Sequence, residues 1–261
     1  MEKLFIIKIG GNVIDDPDQI IFFLSSFSKI RGKKILVHGG GKIATGIGEK
    51  LGIQSNYIDG RRITDDDTID LVTMVYGGLV NKKLVARLQS MDCNAIGISG
   101  ADADLLPARK RPVREIDFGW VGDLEDNINS TSWKLFVENG LTPVVAPLTH
   151  DSMGHLLNTN ADTIASALAI NLASHYEISL IYCFEKNGVL LDINDMDSVI
   201  RNLDINKYRQ LKESKSLFDG ILPKIENAFE ACNKGVKEVI IGNSAQLSLL
   251  INNESGTKIS L

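Results

Sequence analysis

Leu4-Phe5-Ile6-Ile7-Lys8-Ile9-Gly10-Gly11-Asn12 places a lysine inside an apolar strand and follows it with two glycines. An apolar strand normally excludes an ammonium, because burying an unpaired charge is costly. A lysine at the mouth of a strand, facing a glycine turn, suits a group that must meet an anion. The same residue also reads as an edge-strand lysine that only blocks aggregation. The fragment alone leaves both readings open.

The chain around it has 261 residues, enough for one large domain or two small ones. Hydrophobic residues make up 44% and charged residues 23%, so a sizeable core is available. The net charge of −5 gives no electrostatic support for non-specific nucleic-acid binding. An anionic small molecule would need a local basic cluster instead. Cys93, Cys183 and Cys232 are odd in number and far apart, which fits neither a disulfide framework nor a zinc site and suggests a reducing compartment. The N-terminus runs straight into a strand with no signal peptide, and no apolar run approaches the roughly 20 residues of a membrane span. A soluble cytoplasmic protein is expected, with no membrane or nucleic-acid partner.

Short β-rich runs alternate with helical patterns, which argues for an α/β fold around a mainly parallel sheet. The strand candidates are Leu4–Ile9, Lys34–His38, Ala95–Ser99, Thr142–Leu148, Ser179–Cys183 and Glu238–Ile241. Several are apolar almost throughout, as expected where helices cover both faces. Thr64 reads as the cap of a helix with Asp65, Asp66 and Asp67 in its first turn. Ile69, Val72, Tyr76, Leu79, Val80, Leu84 and Leu88 continue it as an apolar stripe. Gly77-Gly78 interrupts that helix at about 1 kcal/mol per glycine, an expense that a closely approaching helix of a dimer partner would offset. Gly140 and Gly235 read as helix stops, and Asp151-Ser152-Met153-Gly154 as a hairpin turn. With no low-complexity linker and no internal repeat, any two-lobe division is expected to be a cleft within one sheet.

A second glycine cluster, Val37-His38-Gly39-Gly40-Gly41-Lys42, follows the second strand and precedes a helix through Ile43, Ile47 and Leu51. Strand, glycines and helix N-terminus together present backbone N–H groups to an anion. Gly39-x-Gly41-x-x-Ala44 also matches the dinucleotide-binding fingerprint, with Asp59 near the distance of a ribose acid. The intervening Gln54–Ile58 is weak as a second strand, and that reading leaves Lys8-Ile9-Gly10-Gly11 unexplained. Spacing to a Lys-Ser/Thr pair is absent, so this is no P-loop. Arg61-Arg62 supplies guanidinium forks for a carboxylate, or merely a solvated turn. Asn158-Thr159-Asn160-Ala161-Asp162 begins another helix, where Asp162 is either a first-turn acid or the carboxylate that orients lysines. Phe218-Asp219-Gly220-Ile221-Leu222-Pro223-Lys224 puts a lysine in a first helical turn, against the dipole, a place that calls for an anionic partner.

Taken in order, Lys-x-Gly-Gly, His-Gly-Gly-Gly, Arg-x-Thr-Asp, Asn-x-Asn-Ala-Asp and Gly-x-x-x-Lys resemble the amino acid kinase family from end to end, and within it the acetylglutamate kinases. A closing Gly256-Thr257-Lys258-Ile259 is similar to the family's C-terminus. The resemblance implies a three-layer αβα sandwich on an open, mainly parallel eight-stranded sheet, the carbamate kinase-like fold. It implies a single domain over residues 1–261, with an acylglutamate-binding lobe over 1–170 and an ATP-binding lobe over 171–261. The implied reaction is ATP-dependent phosphorylation of the side-chain carboxylate of N-acetyl-L-glutamate, as in arginine biosynthesis. ATP is then the co-substrate, with Mg²⁺. By position, Lys8 and Lys224 look like the pair that stabilises the transferring phosphoryl group, and Asp162 like the acid that organises them. Gly40, Gly41, Arg62, Asn158 and Asn160 match substrate-binding positions, and Gly10, Gly11, Glu185, Gly188 and Gly220 match phosphate- or nucleotide-binding ones. No residue is assigned as a metal ligand.

The chain departs from the pattern in three places. Glu185 stands where the family has an aspartate. Arg61 replaces an aliphatic residue, and Ala108-Arg109-Lys110-Arg111-Pro112-Val113-Arg114 is basic in an acidic protein. Such cations near the acyl end would favour a carboxylated acyl group such as succinyl; exposed, they leave the acetyl reading in front. A nucleotide-binding protein that lost the chemistry is the more distant alternative, opposed by retention of both lysines and the aspartate. The first strand starts at about Leu4, without the preceding helix of arginine-inhibited members, so an arginine-insensitive homodimer is expected.

Overall fold

Period-two alternation along the first strand, β1 (Lys3–Ile9), distributes its side chains to two cores. Leu4 and Ile6 point to one face of the sheet, and Phe5, Ile7 and Ile9 to the other. Lys8 therefore falls on the face of Leu4 and Ile6. The structure, a computed structural model, describes residues 1–58, 60–126, 128–192, 194–214, 217 and 221–261.

Short runs along the chain make the remaining strands: β2 (Lys33–His38), β3 (Tyr57–Ile58), β4 (Arg61–Arg62), β5 (Ala95–Ile98), β6 (Ala108–Lys110) and β7 (Gly122–Leu124). They continue with β8 (Thr142–Val145), β9 (Leu148–His150), β10 (Leu156–Asn158) and β11 (Glu177–Phe184). β12 (Asn202–Leu203), β13 (Glu238–Asn243) and β14 (Thr257–Ile259) complete the series. Eight of them form one sheet in the order β12-β14-β13-β11-β1-β2-β8-β5. Pairing is parallel from β13 through to β5, while β14 runs antiparallel to β13. β1 lies mid-sheet, hydrogen-bonded to β11 on one side and β2 on the other, so Lys8 is no edge guard.

The helices are α1 (Gly11–Asp15), α2 (Pro17–Ser28), α3 (Gly41–Leu51), α4 (Asp66–Val72), α5 (Asn81–Gln89) and α6 (Ser130–Glu138). α7 (Ala161–Leu172), α8 (Ile205–Glu213), α9 (Leu222–Asn233) and α10 (Leu247–Leu250) follow. α6, α7 and α9 cover the Leu4 face; α2, α4, α5 and α10 cover the other. This is the expected three-layer αβα sandwich. No helix among the described residues is long and apolar enough to cross a membrane.

Several local expectations are corrected. Asp65, not Thr64, caps α4: its carboxylate accepts from Thr68 N at 2.9 Å, while Thr64 bridges to Gly119. The Gly77-Gly78 stretch does not break the helix but winds as a π-helix over Thr73–Val80, continuous with α4 and α5. The intended strand Thr142–Leu148 stops at Val145, and Leu148 starts β9 in a separate hairpin with β10. Among the described residues, Tyr57–Ile58 pairs with Arg61–Arg62 and with no strand of the main sheet, which removes the second strand that a dinucleotide fold requires. Asp59, the acid of that fingerprint, lies outside the described residues.

Candidate active site

β1 and β11 run in parallel and carry their connections in opposite directions across the sheet. Ligands of open α/β sheets bind beyond the carboxyl ends of strands at such a reversal. Lys8 is the penultimate residue of β1, on the face covered by α7 and α9. Its ammonium lies 2.7 Å from Asp162 Oδ1. Lys224, in the first turn of α9, donates to Asp162 Oδ2, also at 2.7 Å. One carboxylate in the first turn of α7 thus bridges two ammonium groups from distant parts of the chain. Burial by itself would raise the Asp162 pKa, but the attraction of Lys8 and then Lys224 outweighs it and brings the value down to about 2. α7 is started by Asn160, whose side chain accepts from Asp162 N and Thr163 N.

Two glycine turns abut this triad. A Cβ on Gly39 would sit 3.5 Å from Gly11 N, so the β1–α1 and β2–α3 turns are nearly in contact. Gly39 N donates to Ile9 O at 3.2 Å, and Gly10 N to Cys183 O at 3.3 Å. Gly40 has φ +158°, with the Tyr76 ring 3.0 Å from where a Cβ would be. Neither α1 nor α3 has a side-chain cap, so no capping side chain occupies their first N–H groups.

These elements line one cavity of about 1350 Å³. The structure brings Lys8, Gly11, Gly40, Gly41, Arg62, Asn158, Asn160, Asp162 and Lys224 together around it. Its walls carry six cations, Lys8, Lys42, Arg61, Arg62, Arg111 and Lys224, against Glu49, Asp123 and Asp162. A chain of net charge −5 therefore concentrates positive charge at this spot.

Arg62 is buried and largely engaged by the protein. Its guanidinium donates to Ser55 Oγ, to Gly41 O at 2.8 Å and to Thr45 Oγ1 at 2.9 Å, and it lies 4.8 Å from the centre of the Tyr57 ring. Arg62 thereby ties the β3–β4 hairpin to the glycine turn at the head of α3. Asn158 donates to Thr64 Oγ1 at 3.0 Å. Ser55, Tyr57 and Thr45 were not singled out by sequence, since isolated polar residues on short irregular segments carry no spacing signal.

Of the remaining expected positions, Gly10, Glu185 and Gly188 do not line the cavity. Glu185 uses its carbonyl to accept from Asn243 Nδ2. Gly188 is accounted for by packing: a Cβ there would come within 2.7 Å of Thr257 Oγ1. Gly220 lies outside the described residues. The extra cations divide. Arg61 and Arg111 line the cavity, Arg109 pairs with Glu125 at 2.7 Å, and Lys110 sits 3.7 Å over the Trp120 ring. Arg111 forks onto Asp123, leaving its Nη1 buried with no partner.

The amino acid kinase family pattern matches residues 3–243. The chain is 50% identical over 262 residues to an acetylglutamate kinase of Cytophaga hutchinsonii, covering 99% of each protein. It is 48% identical over 259 residues to an acetylglutamate kinase of Parabacteroides distasonis, covering 99% of this chain and all of that one. The solved carbamate kinase of Giardia lamblia bound to AMP-PNP superposes with a TM-score of 0.73 at 14% identity, over 99% of this chain and 98% of that chain, which speaks for the fold alone. On the match across residues 3–243 and the identity maintained over the full length, the chain belongs to the amino acid kinase family.

Proposed function

We propose that the chain transfers the γ-phosphoryl group of ATP to the side-chain carboxylate of N-acetyl-L-glutamate, in arginine biosynthesis, within the cytoplasm. The carrying observation is the Lys8–Asp162–Lys224 bridge beside two uncapped glycine turns. A side-chain carboxylate with pKa about 4.3 is already ionised at neutral pH and needs no general base. The difficulty is anion meeting anion, and phosphoryl transfer is mostly positioning and electrostatics. Lys8 and Lys224 meet the charge that spreads over the transferring group, while Asp162 fixes both ammonium groups in space. Glycine N–H groups of the turns at Gly11, Gly40 and Gly41 add donors without charge. Arg62 and Asn158 hold the far end of the acylglutamate, with Asn160 serving chiefly as the cap that presents Asp162.

Residues 1–170 are assigned to the acylglutamate and 171–261 to the nucleotide, including Glu185, Gly188 and Gly220. Among the described residues no cluster of acids, histidines and cysteines could hold a metal, and Asp162 is taken by two lysines. The Mg²⁺ ion is assigned to the nucleotide phosphates, with which it enters. A homodimer is assigned to the face carrying Gly78, where a Cβ would meet nothing within 4 Å, and the exposed Met74; sedimentation at monomer mass overturns it.

An ATP-dependent hydroxamate assay with N-acetyl-L-glutamate tests the reaction, because only a kinase makes the acyl phosphate that hydroxylamine traps. Absence of hydroxamate with full nucleotide binding would replace the reading by a silent nucleotide-binding protein. N-succinyl-L-glutamate is the second reading, raised by Arg61 and Arg111 on the cavity wall. Comparing kcat/KM for the two acyl compounds decides between them.

A further inference from the structure

His38 opens the second glycine cluster, is fully buried, and has no part in the chemistry above. Its ring nitrogens are both engaged. Nδ1 lies 2.7 Å from the carbonyl of Gly39, and Nε2 lies 3.1 Å from Asn81 Nδ2. The same Asn81 nitrogen lies 2.9 Å from Val144 O. Val144 O can only accept, so the asparagine must turn its NH₂ group toward it. The second N–H of that group then points at Nε2, which must be the accepting nitrogen. The proton of the neutral imidazole is left on Nδ1, where it donates to Gly39 O. A backbone carbonyl in β8 thus sets the tautomer of a histidine in β2 through a residue of α5. Burial holds the imidazole neutral, with its pKa pushed down to about 4.

Room for this relay is built into the sheet. A Cβ on Gly97 would come within 2.0 Å of Asn81 Oδ1, so any larger residue in β5 would evict the asparagine. The Oδ1 atom itself is buried without a partner, which is the expense of presenting Nδ2 to two acceptors.

We infer that His38 and Asn81 are positioning residues for phosphoryl transfer, holding the peptide between Gly39 and Gly40 so that its N–H faces the cavity. In a trans peptide the C=O and N–H point in opposite directions. With the Gly39 carbonyl pulled onto His38, the Gly40 N–H is directed away from it, at the turn where Gly40 and Gly41 line the cavity. Gly39 N, in the preceding peptide, donates to Ile9 O, so the backbone leading into that peptide is held as well. Glycine, at φ +158° in position 40, would otherwise allow that peptide to rotate freely. The inference rests on the acylglutamate kinase reading.

Two substitutions separate positioning from packing. His38→Asn keeps a donor where Nδ1 stood but is smaller; His38→Gln fills more of the space and keeps a polar atom toward Asn81, but loses the donor to Gly39 O. The expected result is a kcat/KM for His38→Asn at least about tenfold above His38→Gln, with the thermal stabilities in the opposite order. Equal losses, or a more active His38→Gln, overturn the inference. If either variant fails to fold, ¹⁵N spectra of histidine-labelled wild type decide, and an Nε2–H tautomer at His38 overturns it. Wild type that makes no hydroxamate from either acyl compound would instead refute the parent reading, leaving the tautomer measurement to stand by itself.

Discussion

Replacing Asp162 by asparagine removes the charge between Lys8 and Lys224 with almost no change of shape. A carboxyl that titrates near 2 rather than at 3.8 favours its ionised, folded-state form by about 2.5 kcal/mol. The side chain is 23% exposed, so solvent screening removes little of this. Because the pKa is depressed by folding, the contribution is complete above the ordinary carboxylate range and disappears as pH falls from about 4 toward 2. At pH 3 about half of it remains. Asparagine does not titrate, so the stability gap between wild type and Asp162→Asn should narrow by about 1 kcal/mol between pH 6 and pH 3. Urea unfolding of both proteins across that interval measures the gap. The same variant should lose about 10²–10³ in kcat, since two ammonium groups without their bridge repel and leave their positions. A gap that stays constant with pH, or a kcat within threefold of wild type, refutes the bridging role.

Lys8→Met should keep the fold and lower kcat by about 10²–10³ with a smaller change in KM; a variant that retains kcat returns Lys8 to a structural role. Lys34→Met makes the opposite prediction: that ammonium donates to the carbonyls of Phe27, Ser28 and Ile30 at 2.9–3.0 Å, closing the end of α2, so its loss should cost about 2–4 kcal/mol in denaturant unfolding and leave kcat per folded molecule unchanged. Arg62→Lys should raise KM for the acylglutamate by about tenfold or more, because an ammonium cannot span Ser55, Gly41 and Thr45 as the fork does; an unchanged KM places Arg62 outside the substrate's reach.

The contrast between Lys8 and Lys34 measures what could be read in advance. Both lysines sit in apolar strands, and only Lys8 is followed within two residues by a glycine pair. That local context raised an anion contact beside an edge guard without deciding between them, and the ordered motifs after it pointed to Lys224 and Asp162. The long apolar strands were legible because continuous burial leaves an unbroken run. β12 and β14, two and three residues long, were not, since so few residues hold no periodicity and are made strands by their partners. The π-helix was misread for a related reason: a glycine pair marks weak local preference, and tertiary packing decided how the backbone wound. Asn81 gave no signal, because its role depends on a carbonyl in β8 that only folding brings near.

The position of β1 at the middle of the sheet has a consequence for how the chain is made. Its neighbour β2 is synthesised almost at once, but its other neighbour pairs Lys3 with Glu177. At 5–20 residues per second, the ribosome takes about 10–30 s to supply that second partner. Throughout that interval one edge of an apolar strand waits unpaired, at the length and composition that favour association with other nascent chains. The same strand that carries Lys8 is therefore the segment most in need of protection during synthesis. Expression at lower temperature or with a chaperone that shields extended apolar segments should raise the soluble yield.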